Sequence, residues 1–412
     1  MPSPIEPTAS TRLLIADPCY ALRTGHNHAV NTLLRAEAAR RGIDCDVFGH
    51  TMLGSNADVA AVFRVIAYGS FPKDSVDALR LAHHTATTFA EDLVKHVQPR
   101  LQRGTILFCH TLNAALLHGL VHWLGSLPSR EGLHLRLGLN LPPNFREPRA
   151  DVAYFNTFEY QLSLNLLRAA CPGLKWYAET NELAEIFRPL GATGVGRRRL
   201  PARVIDRPRP ERPGDRPRIC FLPGEVRPEK GAEFLINSVM SIASQQPSWL
   251  GRLRFRFTSM ALLPHVVEFL RRFPQLFELL PDTSMSLDRY WTLLHDADLI
   301  SCAYEPSNYV SRASGIFLES LAIGRPVLVS RGTSIANEAA AHGNAYALPV
   351  TFGDVNSLAA ALATFMQQPD SYTAAAAAVA AEYRQQLDPA AFMDWVLAAG
   401  GQPTEQAASQ QS

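Results

Sequence analysis

A proline-rich break near the middle of the chain constrains the fold more than any other sequence feature. Residues 205–217 contain four prolines and, after Ile205, no apolar residue. Such a segment cannot contribute to a hydrophobic core and is typical of an interdomain linker. Because 412 residues exceed one ordinary domain, we predict two domains, 11–204 and 218–399, joined by the linker 205–217. Residues 1–10 and 400–412 are predicted to be disordered.

Short apolar runs alternate with helical stretches on both sides of this break. The runs interpreted as buried strands are 13–16, 44–48, 62–67, 105–109, 133–139, 152–155, 218–222, 253–257, 298–303 and 326–329. Strands separated by helices indicate parallel βαβ units. We therefore predict an α/β fold of two Rossmann-like, doubly wound domains that face a cleft, with ligands at the carboxyl ends of the strands. The last helix is a candidate to pack back on the N-terminal domain.

Composition and charge exclude several classes of protein. Hydrophobic residues make up 47% and charged residues 19%, and the net charge of +1 gives no global reason to expect a nucleic-acid partner. The six cysteines are scattered without a C-x-x-C pair, which favours buried free thiols and a cytoplasmic location. No signal peptide is expected in residues 1–10. The uncharged run 104–128 is long enough for a membrane helix, but its histidines and β-rich start favour a strand followed by a helix.

The segment from Tyr309 to Val329 carries the most chemical information. Ser314 and Gly315 lie where a loop becomes a helix, so the free N–H groups there, including that of Ile316, form a candidate anion site. Glu319 falls one turn into this helix, where its carboxylate can accept hydrogen bonds from vicinal ribose hydroxyls. Gly324 then ends the helix ahead of a buried strand.

This segment resembles the donor-site signature of retaining GT-B glycosyltransferases, especially glycosyltransferase family 4. The family signature has an acidic residue, a glycine turn and a second Glu eight residues after the first, followed by A-x-G-x-P-V. The matching positions are Glu319, Ala322, Gly324, Pro326 and Val327. Ser311 stands at the first acidic position, and the chain is instead similar to a variant with Tyr-x-x-Arg-x-Ser-Gly. The resemblance implies that Arg312 supplies charge to phosphate, with Glu305 a candidate substitute for the missing acid.

A second resemblance lies upstream, in the segment from Cys220 to Gly231. It is similar to the family's strand-G-R-x-x-x-x-K-G-helix loop, with Gly224 and Lys230 at matching positions. Glu225 occupies the usual arginine position and Arg227 follows two residues later. The resemblance implies a catalytic role for Lys230 and Arg227, because cations beside the diphosphate stabilise the departing group.

Two weaker matches lie in the first half. Gly25 matches the flexible glycine loop that follows the family's first strand. His110, at the end of the strand 105–109, falls where many members carry a histidine near the sugar, which implies a catalytic role. His83 and His84 are predicted to be surface residues rather than metal ligands. Arg197 to Arg199 are predicted to form a solvated loop, and a weak peripheral membrane contact through them is left open.

The resemblance implies a hexosyltransferase-like enzyme that moves a sugar from a nucleotide-diphosphate sugar to an acceptor hydroxyl, with retention, in glycan or glycoconjugate biosynthesis. The donor would be a co-substrate, and neither a cofactor nor a metal is expected. The acceptor is open among a glycan, a lipid-linked molecule and a small molecule. Two alternatives stay open: a non-catalytic GT-B module that binds nucleotide sugar or acts as a scaffold, and another GT-B enzyme such as a nucleotide-sugar epimerase or hydrolase.

Overall fold

The chain divides into two compact units. The structure is a computed structural model that describes residues 11–23, 25–54, 56, 58–68, 72–145, 149–207, 217–224, 227–245, 251–258, 262, 264–281 and 286–398. The first unit runs to Arg203 and resumes at Gln386, and the second runs from Val204 to Gln385. The predicted disordered ends, and most of the predicted linker, lie outside the described residues.

The first unit is built on a fully parallel sheet. Its strands are β1 (Arg12–Ala16), β2 (Asp44–His50), β3 (Ala60–Phe63), β4 (Thr105–Cys109), β5 (His134–Gly138), β6 (Lys175–Ala178) and β7 (Gly196–Arg197). Their order across the sheet is β3-β2-β1-β4-β5-β6-β7, with every pair parallel. The order reverses between β1 and β4, so the first unit has the switch point of a doubly wound sheet there.

Helices cover both faces of this sheet. They are α1 (Gly25–Arg40), α2 (Ser75–Asp92), α3 (Ala114–Ser126), α4 (Ala150–Ala170), α5 (Asn181–Phe187) and α14 (Pro389–Leu397). One core cluster packs α2, α3 and α4 against the sheet, and a second packs α1 and α14 against the opposite face. Both faces of the strands are therefore buried, as parallel sheets require.

Helix α14 completes the first unit from the far end of the chain. Phe392, Met393 and Val396 are buried in the same cluster as Leu13 of β1. The buried guanidinium of Arg136 donates hydrogen bonds of 2.8 Å to the carbonyls of Val396 and of Ala398. Charge-assisted bonds to the end of α14 anchor that helix where its carbonyls have no helical partner.

The second unit repeats the same architecture. Its strands are β8 (Arg218–Leu222), β9 (Leu253–Thr258), β10 (Phe277–Leu280), β11 (Leu299–Cys302), β12 (Val327–Ser330) and β13 (Ala347–Val350), parallel in the order β10-β9-β8-β11-β12-β13. Its helices are α6 (Ala232–Gln245), α7 (Pro264–Arg271), α8 (Leu287–Asp296), α9 (Pro306–Tyr309), α10 (Gly315–Ala322), α11 (Ser334–Ala341), α12 (Val355–Gln367) and α13 (Pro369–Gln386). The predicted α/β class with two Rossmann-like domains is confirmed.

Three local predictions are wrong. Residues 152–155 form part of helix α4 rather than a strand, because Val152 shares one buried helical face with Tyr160, Leu164 and Leu167. A four-residue apolar run cannot by itself distinguish these structures. The strand predicted at 62–67 is β3, which begins earlier and ends at Phe63. Gly25 lies in no loop, since it is the first residue of α1, where its φ of +79° suits glycine.

Candidate functional site

The two sequence motifs of the second unit meet at its switch point. Strands β8 and β11 are neighbours, with Leu299 opposite Cys220 and Ile300 opposite Phe221. The loop after β8 carries the lysine motif, and the loop after β11 leads into α10. Because parallel strands end at the same edge, the sheet brings both loops together where doubly wound domains bind ligands.

The loop after β8 is shaped by two glycines in the left-handed region. Gly224 has a φ of +79°, and its carbonyl accepts a 2.5 Å hydrogen bond from Thr258 Oγ1 at the end of β9. Gly231, with a φ of +75°, follows a short 3-10 turn and packs so tightly that a Cβ there would lie 2.1 Å from the carbonyl oxygen of Ala303. Glycine at 231 therefore allows this loop to contact the loop after β11.

Lys230 lies inside this loop rather than on its surface. A Cβ added to Gly224 would lie 3.2 Å from Lys230 Nζ, so the ammonium group lies against the Gly224 backbone. The side chain is buried, with 8% of its surface exposed. Lys230 is therefore not a solvated surface lysine, because the close approach of Gly231 to Ala303 packs this turn against the neighbouring loop.

The start of α10 lies beside the same glycine. A Cβ on Gly224 would lie 3.7 Å from Ile316 Cδ1. Ser314 is the N-cap of the helix, and its Oγ accepts a 3.2 Å hydrogen bond from the Phe317 N–H. The N–H groups of Gly315 and Ile316 have no carbonyl partner within their own helix. Gly224, Lys230 and the N-terminus of α10 therefore form one locus with positive charge and positive helix dipole.

The two arginines of these motifs lie near Tyr309. The Arg312 guanidinium carbon lies 4.6 Å from the centre of the Tyr309 ring. Burial raises the pKa of the Tyr309 hydroxyl, while the nearby charges of Arg312 and Arg227 oppose that rise. Arg227 also forms a 3.4 Å ion pair with Glu229. Both predicted arginines thus lie near the same aromatic ring, and Arg227 is partly neutralised by its neighbour.

Glu319 is a half-buried carboxylate with an unexpected partner. The hydroxyl of Tyr290, on α8, donates a 2.5 Å hydrogen bond to Glu319 Oε2. Burial raises the pKa of Glu319 to about 7, and the Tyr290 hydrogen bond works against that rise. Glu319 is therefore not a solvated surface residue, and the buried Arg325 donates a hydrogen bond to the His295 carbonyl.

The loop after β11 contains no acid at the position that the family signature would place there. Ser311 is buried, with 2% of its surface exposed. Glu305, the candidate substitute, is the residue before α9, and its Oε2 accepts a 2.8 Å hydrogen bond from Asn308 Nδ2. Glu225, the residue at the usual arginine position, lies outside the described residues.

The first unit carries a buried polar cluster at its own switch point. Asp17 follows β1 and His110 follows β4, and His110 Nε2 lies 2.9 Å from Asp17 Oδ2. Asp17 also accepts hydrogen bonds from Asn27 and Asn31, the latter at 2.6 Å. Burial raises the pKa of Asp17, but the His110 charge and these hydrogen bonds outweigh it, so the pKa lies below its usual value.

His110 is fully buried and engaged at both ring nitrogens. Its Nδ1 lies 3.0 Å from Thr111 Oγ1, opposite the contact with Asp17. Its carbonyl accepts a 2.8 Å hydrogen bond from Asn140 Nδ2. His26, near the start of α1, is exposed, and its ring centre lies 6.5 Å from that of His110. His110 therefore holds the carboxyl edge of the sheet together and presents no ring nitrogen to a ligand in this arrangement.

The other charged clusters have structural roles or lie on the surface. His83 and His84 are exposed, as predicted. The arginines at 197–199 do not form a solvated loop: Arg197 is in β7, Arg198 lies 5.5 Å from the Trp395 ring centre, and buried Arg199 donates to the Glu179 carbonyl. Within the described residues, no three His, Cys, Asp or Glu side chains are arranged for a metal ion. None of the helices in that part of the chain is long and apolar enough to span a bilayer.

Comparisons with known proteins place this geometry in a fold family. No protein-family model matches the chain, and no curated protein is significantly similar in sequence. A sucrose-phosphate synthase from Thermosynechococcus elongatus superposes with a TM-score of 0.65 at 11% identity, over 93% of this chain and 98% of its own. A UDP-forming α,α-trehalose-phosphate synthase from Burkholderia xenovorans gives 0.64 at 13% identity, over 94% and 98%. Anabaena HepE, in complex with UDP and glucose, gives 0.55 at 14% identity, over 92% and 96%.

The chain has the GT-B fold. The matches run through both units, and these neighbours are GT-B glycosyltransferases. Identities of 11–14% carry the fold alone and leave family and activity to be argued from the site.

Proposed function

We propose that the protein is a retaining glycosyltransferase that transfers a sugar from a nucleotide-diphosphate sugar to an acceptor hydroxyl in glycan or glycoconjugate biosynthesis. One observation carries the proposal: Lys230 Nζ and Ile316 Cδ1, in the first turn of α10, lie 3.2 Å and 3.7 Å from the point that a Cβ on Gly224 would occupy. A cation, a glycine that permits close backbone approach and free helix N–H groups are together suited to a diphosphate. Glu319, one turn further along α10, is suited to the ribose hydroxyls.

The reaction needs little else from the second unit. The bond between the anomeric carbon and the diphosphate oxygen breaks, and its electron pair leaves with the nucleotide diphosphate. The acceptor oxygen forms the new bond, and its proton is released. Lys230, Arg312 and Arg227 stabilise the negative charge that grows on the departing group, which is the effect that lowers the barrier. Retention rests on the family resemblance of the Glu319 segment.

The first unit is proposed to contribute the acceptor side. His110 supports that side by fixing the carboxyl edge of the sheet, because its ring contacts Asp17 and Thr111 and its carbonyl accepts a hydrogen bond from Asn140. The solved neighbours support a nucleotide-sugar donor, since the trehalose-phosphate synthase is UDP-forming and HepE is in complex with UDP and glucose. The choice of sugar, nucleotide and acceptor depends on individual side chains that contact them, and no sequence motif specifies that choice.

Donor turnover tests the proposal directly. The full chain is incubated with a panel of UDP-, GDP- and ADP-sugars, and release of the nucleotide diphosphate is measured with and without candidate acceptors. We expect slow hydrolysis of one donor, with its KM raised by Glu319→Gln and unchanged by Glu382→Gln, a matched change on the exposed face of α13. Isomerised donor would instead indicate an epimerase. Tight donor binding without any turnover would indicate a non-catalytic module.

A further inference from the structure

Two tyrosine rings in contact with each other lie next to Arg312 of the donor motif. The rings of Tyr304 and Tyr309 lie with centres 4.3 Å apart and planes tilted by 35°. Both are almost fully buried, with 1% and 4% of their surface exposed. We call these two residues the tyrosine pair. Aromatic rings packed in this way lose little further entropy when a ligand binds, so the pair forms a rigid surface.

Arg312 is held at both of its ends. Its guanidinium lies over the outer ring of the tyrosine pair, 4.6 Å from the Tyr309 centre. Its backbone carbonyl accepts a 2.5 Å hydrogen bond from Ser334 Oγ, at the start of α11. A guanidinium carries its five N–H donors in a rigid planar fork, so a contact that holds the group over the Tyr309 ring also limits the directions in which it can donate.

The tyrosine pair is also joined to the helix that faces the ligand. Tyr304 Oη lies 3.2 Å from Ser314 Oγ, and the same Ser314 oxygen caps the Phe317 N–H. One continuous set of contacts therefore runs from the guanidinium, through both rings, to the N-terminus of α10. The orientation of Arg312 is thereby fixed relative to the N–H groups of Gly315 and Ile316.

We propose that Tyr309 is a positioning residue that, with Tyr304, fixes the plane of the Arg312 guanidinium toward a nucleoside diphosphate at the N-terminus of α10. This inference rests on the proposed function and deepens it. The loop carries buried Ser311 where the family signature has an acid. In this loop, the tyrosine pair beneath Arg312 therefore sets the geometry with which a diphosphate is bound. The gain is preorganisation, because an arginine held before binding has less rotamer freedom to lose.

A double-mutant cycle on UDP affinity tests this role. The variants are Tyr309→Leu, Arg312→Ala and the two combined, with UDP binding measured by calorimetry. We expect Tyr309→Leu to weaken UDP binding about 5-fold, because Arg312 would then lose more rotamer freedom on binding, and to have less than about a 2-fold effect once Arg312 is alanine. Tyr309→Phe keeps the ring and is expected to bind UDP like the parent.

Matched controls separate positioning from packing. Tyr372→Leu makes the same change on α13, against the core of the same unit, and is expected to leave UDP affinity unchanged. Equal losses from Tyr309→Leu in both Arg312 backgrounds would overturn the inference. If Tyr309→Leu does not fold, Arg312→Lys replaces it: the ammonium keeps the charge but loses the planar fork, so UDP binding should weaken about as much as expected for Tyr309→Leu, and parental affinity would overturn the inference. A folded parent that binds none of UDP, GDP or ADP would overturn the proposed function itself.

Discussion

Tyr290 and Glu319, 29 residues apart in sequence, share a 2.5 Å hydrogen bond between the Tyr290 hydroxyl and Glu319 Oε2. The bond joins α8 to α10 and fixes one oxygen of the carboxylate. A carboxylate has capacity for several hydrogen bonds, so Glu319 can be oriented by Tyr290 and still accept from ribose hydroxyls. This pair links the packing of the second unit to its proposed ligand.

Glu319→Gln is expected to weaken nucleotide-diphosphate binding more than it weakens folding. The amide keeps the shape of the side chain but removes a charge-assisted hydrogen bond, a loss of about 1.5–3 kcal/mol in binding free energy. Calorimetry with UDP measures the affinity, and denaturant unfolding measures the stability. Unchanged affinity in a folded variant would remove Glu319 from the donor site.

The pH dependence of Glu319 has a definite sign. Because burial raises its pKa to about 7 from 4.5, the folded protein keeps a proton that the unfolded chain has released between these values. This stabilising contribution is complete below pH 4.5 and is lost as pH rises through about 7. Nucleotide binding should follow the opposite course, because ribose hydroxyls donate best to the ionised carboxylate.

Tyr290→Phe tests this coupling. The Tyr290 hydrogen bond lowers the pKa of Glu319, so its removal should raise that pKa and move both pH transitions upward. Stability and UDP affinity are measured against pH for the parent and for Tyr290→Phe, each with and without Glu319→Gln. Subtracting the Glu319→Gln profile cancels the titration of the nucleotide. Identical transitions with and without the Tyr290 hydroxyl would contradict the assignment of these transitions to Glu319.

Lys230→Met is expected to damage the rate and spare the fold. Methionine keeps an apolar stem in a side chain that is 8% exposed, so the free energy of unfolding should change by less than about 1.5 kcal/mol. The lost cation would stabilise the leaving group in the transition state, so kcat should fall on the order of 10²-fold. Arg331→Met, on an exposed position of the same unit, is the charge control and should retain parental kcat. A parental rate in folded Lys230→Met would place the phosphate site elsewhere.

Alanine at Gly224 and at Gly231 should separate ligand binding from folding. Both residues have positive φ, but a Cβ at 231 would meet a backbone oxygen at 2.1 Å, whereas at 224 it would meet the tip of Lys230 at 3.2 Å. Gly353→Ala has comparable φ and open space, so it measures strain alone, about 1 kcal/mol. Relative to it, Gly231→Ala should cost at least about 2 kcal/mol of stability. Gly224→Ala should match the control in stability and lose UDP affinity by displacing Lys230. Equal stability of all three variants would refute the packing at Gly231.

Local chemistry explains which parts of the site could be predicted from sequence. Ser314, Gly315 and Glu319 lie in one short segment, so helix capping and a one-turn spacing place them without knowledge of the rest of the fold. The α/β class followed similarly from alternating apolar runs. The burial of Lys230 could not be predicted, because it depends on Gly231 meeting Ala303.

Partners brought together only by tertiary packing were missed for the same reason. Asp17 and His110 are 93 residues apart and meet because β1 and β4 are neighbours in the sheet. Asp17 stood in the sequence only as the end of a strand, although an acid at the carboxyl end of β1 and a histidine at that of β4 are a usable signal. Tyr290 lies on a helix with no motif of its own, and no local pattern marks it.

The position of α14 bears on how the protein is made. Phe392, Met393 and Val396 complete the core of the first unit, yet they are among the last described residues to be synthesised. A ribosome therefore releases every residue of the second unit before it releases this part of the first unit's core. Until α14 has been synthesised, only α1 of these two helices covers its face of the first unit's sheet. A message cut short after residue 385 would therefore yield a complete second unit and an incomplete, aggregation-prone first unit.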